Sequence, residues 1–72
     1  MDRSPLARFG KKVRQLRKKS GWSQERLAEE AGLHWTYIGG IERGERNLCL
    51  LNVVKIPRSL KVAPSELLDG IR

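Results

Sequence analysis

Gly21, Gly32, Gly44 and Gly70 divide this 72-residue chain into short segments, and their spacing constrains the fold more than any other feature. Each follows a stretch of helical periodicity. Glycine just past a helix end takes the left-handed conformation without steric cost. The first stretch opens on Ser4-Pro5, a capping hydroxyl followed by proline at the first helical position. Leu6, Phe9, Val13 and Leu16 recur at helical spacing. Arg17, Lys18 and Lys19 then suit the negative end of the helix dipole before Gly21. Ser23 caps a second helix, QERLAEEA, with Glu25 in its first turn and Leu27 and Ala31 facing inward. A third runs from about His34 to Arg43. A fourth begins after Asn47, near Cys49, and runs toward Leu60. The fifth is APSELLD, with Pro64 in its first turn. No segment shows sustained strand alternation. The expected fold class is all-α: one five-helix domain over residues 1–72.

The net charge of +7 favours a polyanionic partner. From Arg3 to Gln24 there are eight basic residues and no acidic one. The plain reading of that run is a solvated helix face; the functional one is contact with phosphates. A single cysteine, Cys49, excludes an intrachain disulfide, and Cys49 with His34 does not make a zinc set. No metal, cofactor or small-molecule effector is expected. No apolar run approaches a membrane span, and MDRSPLARFG lacks the apolar region of a signal peptide. The expected location is therefore the cytoplasm. Catalysis is not expected: no Ser/His/Asp or Cys/His set lies in plausible proximity, and there is no phosphate-cradling glycine loop.

Leu27, Ala28, Ala31, Gly32, Leu33, Ile38 and Ile41 fall at the spacing of a helix-turn-helix over about 24–43. Ala28 must be small where the third helix crosses. Leu33, Ile38 and Ile41 anchor that helix on the core. GWSQERLAEEAGLHWTYIGGIERGERN resembles the Cro/phage-repressor-type (XRE-like) helix-turn-helix family. Within it, the chain is most similar to controller proteins of restriction–modification systems. The resemblance spans roughly Leu6 to Leu68 and implies a lambda-repressor-like domain that binds double-stranded DNA as a homodimer on a palindromic operator. In that family the third helix lies in the major groove and the second crosses the phosphate backbone.

The resemblance implies phosphate contacts for Ser23, Gln24, His34, Arg46 and Asn47. Ser23 and His34 are also plain N-caps. Groove contacts fall to Trp35, Thr36, Tyr37, Gly39, Gly40 and Arg43. On a helical wheel Ile38, Ile41 and Glu42 share the core side, while Thr36, Gly39, Gly40 and Arg43 share the opposite one. Arg43 can reach guanine O6 and N7 or a phosphate. Two readings of Trp35 stand, a DNA contact or packing on the second helix near Gln24. Tyr37 either touches DNA or packs at the rim. Gly39 and Gly40 cost roughly 0.5–1 kcal/mol each in helix stability. They either let the backbone approach DNA closely or leave two base steps unread. Arg17 and Glu42 match a family ion pair, read as structural.

The fourth helix, CLLNVVKIPRSL, is apolar around much of its surface. That excess, with Val62, Leu67, Leu68 and Ile71, suggests a dimer region over about 50–72. Pro57 should kink the helix or end it early near Ile56, at about 3 kcal/mol if unrelieved. Cys49 is a poor cap where the family has Ser or Thr. Three rival readings are a phage-type repressor or antitoxin-like autoregulator, a protein-interaction module that kept the fold, and a membrane binder through the first helix.

Overall fold

Capping chemistry sets the start of three of the five helices found among the described residues. Ser4 opens α1 (Pro5–Lys19), its hydroxyl accepting the Ala7 amide at 3.0 Å. Ser23 opens α2 (Gln24–Ala31) in the same way, accepting from Arg26 at 3.0 Å. His34 opens α3 (Trp35–Glu42) through its ring nitrogen. By contrast α4 (Leu50–Ser59) starts at Cys49 and α5 (Pro64–Leu68) at Ala63 with no side-chain cap bond. The computed structural model describes residues 4–71. Arg3, the first cation of the basic run, lies outside the described residues with Met1, Asp2 and Arg72. Gly21, Gly32, Gly44 and Gly70 all adopt positive φ, as their places after helix ends require.

Every helix contributes to one apolar cluster: Phe9 and Val13, Leu27 and Ala28, Ile38 and Ile41, Ile56 and Leu60, and Leu67. α3 packs between α1 and α2, α4 packs on α2 and α5, and α5 returns to α1. α1 and α3 cross closely, and glycine makes this possible. A Cβ at Gly10 would overlap the Ile41 carbonyl oxygen and stand 2.8 Å from that of Glu42. Gly44 is doubly constrained: its φ is +73°, and a Cβ there would lie 2.7 Å from the Ala7 Cα. Sequence reading assigned Gly10 no role. Its signal was glycine on the inward side of an otherwise strong helix.

Two expectations for the C-terminal half are corrected. Of the kink or early end expected at Pro57, the early end is the part corrected: α4 continues through Pro57 to Ser59. The proline removes one donor, to the Val53 carbonyl, but its ring is buried in the core, and that apolar burial offsets the loss. The end itself is a left-handed closure on a non-glycine. Lys61 takes φ 60°, its amide donating to the Arg58 carbonyl at 3.0 Å and the Val62 amide to that of Pro57 at 2.9 Å. The strain at Lys61, about 1–2 kcal/mol, is offset by those bonds and by Val62 packing on the core. The second correction is Leu67, fully buried in the core rather than part of an apolar surplus.

Gly10→Ala should lower the unfolding free energy by about 1–3 kcal/mol, because the added methyl meets backbone that cannot swing aside. Urea denaturation followed by circular dichroism reads this directly; an unchanged midpoint would contradict the close crossing.

Candidate nucleic-acid interface

The end of α3 is held by a two-pronged ion pair. Arg17 Nε and Nη2 donate to Glu42 Oε2 and Oε1 at 2.6 and 3.0 Å. The two side chains are only 10% and 3% exposed. Arg17 Nη1 donates to the Trp22 carbonyl at 2.7 Å, fastening the α1–α2 connection as well. Gln24 Nε2 adds a bond to Glu42 Oε1 at 3.1 Å. One buried carboxylate thus gathers α1, the start of α2 and the end of α3. The structural reading of Arg17 and Glu42 matches this geometry. The Gln24 amide, expected at a phosphate, is engaged with Glu42 here.

At the start of α3, His34 Nδ1 accepts the Thr36 amide at 3.2 Å and stands 2.7 Å from Thr36 Oγ1. His34 and Thr36 are both exposed. Trp35 is exposed too. Its ring stacks on the His34 imidazole, centroids 6.2 Å apart, so the structure gives it a neighbour other than the expected packing near Gln24. Tyr37 is half-buried at the rim. Its hydroxyl donates to the Asn47 carbonyl at 3.1 Å and accepts from Asn52 Nδ2 at 3.0 Å, which ties the loop after α3 to α4.

The glycine pair differs from a bare groove face. Gly39 and Gly40 are buried, and long polar side chains cover them. A Cβ at Gly39 would meet Arg43 Nη1 at 3.1 Å and Gln24 Oε1 at 3.4 Å; one at Gly40 would meet Arg46 Cγ at 2.5 Å. That covering adds a further reading beside close approach and an unread step. The glycines make room for side chains of the protein itself. Arg43 and Arg46 remain exposed, and Arg43 Nε donates to Glu45 Oε1 at 3.0 Å. Ser23 and Asn47 are exposed as well.

Sequence reading passed over several polar groups here. Glu45 holds Arg43, a pairing hinted at only by its place between two arginines. Arg26 lies over the Trp22 ring at 4.9 Å and bridges to Glu30. Arg8 Nη1 donates to the Gly70 carbonyl at 2.9 Å, and Lys12 Nζ donates to that of Asp69. Part of the basic run therefore fastens α1 to the chain after α5 instead of facing a ligand.

Two short helices at a tight glycine turn, the second offering one polar and exposed side, define a helix-turn-helix. A family model for the helix-turn-helix matches residues 13–67, and the chain belongs to that family. It is 58% identical over 62 residues to the control protein C.BamHI of Bacillus amyloliquefaciens, covering 85% of this chain and 76% of that one. The crystal structure of the restriction–modification controller protein C.AhdI from Aeromonas hydrophila superposes with a TM-score of 0.84 at 47% identity, over 86% of this chain and 94% of that one. The biofilm regulator SinR, solved in complex with DNA, superposes with a TM-score of 0.80 at 35% identity, over 85% and 98% of the two chains.

Glu42→Gln should destabilise the fold by about 3 kcal/mol, since Arg17 would stay largely buried without a counter-charge. Chemical denaturation measures it, and a change under about 1 kcal/mol would mean that the pair is effectively solvent-screened.

Proposed function

We propose that this chain is a sequence-specific DNA-binding transcriptional regulator, working as a homodimer on a palindromic operator and governing a restriction–modification operon. The observation that carries the reading is the two-sided character of α3. Ile38 and Ile41 are fully enclosed in the core, while Trp35, Thr36 and Arg43 stand exposed, with Arg46 and Asn47 just beyond. A helix anchored on one side and open on the other fits the major groove. Its likeness to control proteins supports the operon assignment. The chain acts by binding, as a single domain in the cytoplasm at the nucleoid.

Each exposed group has a role in this reading. Arg43 reads guanine through the end of its guanidinium that Glu45 leaves open. Thr36 offers a methyl and a hydroxyl to a base or phosphate. Trp35, propped by His34, lays its ring on sugar or a thymine methyl, and Tyr37 positions the loop from the rim. Ser23, His34, Arg46 and Asn47 meet phosphates, helped by the positive end of α2, and Gln24 joins them by giving up its bond to Glu42. Dimerisation uses residues 50–72. Leu50 and Leu51 are 81% and 60% exposed at the start of α4, and Leu68 on neighbouring α5 is exposed too. An isologous contact of those leucines would bury them and set two α3 helices for two half-sites.

Selection of bound duplexes from a random pool should enrich a two-fold symmetric site. Recovery of no symmetric sequence would sink the operator reading. On the selected site Arg43→Ala should lose about 1–3 kcal/mol and relax one base position. Leu51→Glu should shift sedimentation toward the monomer; a wild-type profile would place the interface elsewhere.

A further inference from the structure

We propose that Gly40 is a positioning residue for DNA binding: its missing side chain is the seat on which the stem of Arg46 lies across α3, holding that guanidinium ready for phosphate. The proposal rests on the reading above, in which Arg46 meets the DNA backbone. Gly40 is buried although it stands on the polar side of α3, and its cover is Arg46. The chain is brought back over the helix by the left-handed turn at Gly44, and the Glu45 amide donates to the Gly40 carbonyl at 2.9 Å. Arg46 then lies so close that a Cβ at position 40 would stand 2.5 Å from its Cγ, 3.3 Å from Cδ and 3.1 Å from Nε. Cγ, Cδ and Nε of Arg46 therefore lie over the bare backbone of position 40.

Arginine in open solvent has many rotamers, and fixing them on binding costs affinity. A stem already laid on a helix has lost much of that freedom. Any side chain at position 40 would strike Arg46 near its root, so the entire side chain must swing away. At Gly39 a Cβ would meet the tips of Arg43 and Gln24 instead, at 3.1 and 3.4 Å, both of them proposed DNA contacts. Helix propensity runs the other way, because alanine is the better helix former at both positions. Seat and propensity can therefore be separated.

The experiment uses the full chain and the selected duplex, with affinity measured by fluorescence anisotropy over a range of salt and folding by thermal melting. Arg46→Ala should weaken binding several-fold and reduce the salt slope by about one per contact. Gly40→Ala should reproduce that loss and that slope with no drop in melting temperature. The double variant should bind no worse than either single one. Gly40→Ala at wild-type affinity, or losses that multiply in the double variant, would overturn the seat. Arg46→Ala at wild-type affinity would instead remove the phosphate reading beneath it, and the seat with it. Should Gly40→Ala fail to fold, the double variant should fold again, its clash partner gone; if it does not, position 40 serves the backbone and the proposal is wrong.

Discussion

The buried Arg17–Glu42 pair is the interaction on which the rest of this structure depends. α3 has eight residues, two of them adjacent glycines, and a helix so short and so rich in glycine does not persist by its own propensity. Two apolar anchors, Ile38 and Ile41, hold it to the core. Glu42 holds its end to α1 through Arg17, and Gln24 adds the start of α2. Because the guanidinium also meets the Trp22 carbonyl, the turn leading into α2 is set by the same group. Desolvating two charges is costly, and the bidentate geometry with its added hydrogen bonds offsets that cost. The gain is orientation: the exposed side of α3 is presented at one angle relative to α2.

Glycine serves three separate ends in this chain. At helix termini it permits the left-handed turn, a local matter. At Gly10 it lets α1 and α3 approach until backbone touches backbone. At Gly39 and Gly40 it strips side chains from a polar helix face, and the arginines of the same region lie down in the space. A helix weakened in this way survives because its fastening comes from outside it. The Arg17 pair and the two isoleucines supply that fastening, so the tolerance for glycine in α3 and the buried ion pair are linked.

The positive charge is likewise divided. Arg8 and Lys12 hold carbonyl groups after α5, Arg17 is buried, Arg26 covers Trp22, and Arg43 is paired with Glu45. Five of the fifteen Lys and Arg side chains are therefore engaged within the domain itself. Leu50 and Leu51 present the opposite case. Their exposure is what a dimer surface requires, and it lies on α4, next to the uncapped start at Cys49.

Helix number, helix ends and the helix-turn-helix were legible in the sequence because their causes are local. A serine cap, a proline at the first position and a glycine after the last each act within one turn of chain. Ile38 and Ile41 were legible as anchors from periodicity alone. The Arg17–Glu42 pair came only through family resemblance, since its members are 25 positions apart. Pro57 was misjudged because its local cost is set against burial in a core assembled from distant residues. Gly10, the Glu45 bond to Arg43 and the bed of Arg46 on Gly40 were decided by tertiary structure. Each depends on how closely two backbones cross or where a turn returns the chain, and those distances follow from packing of the whole domain.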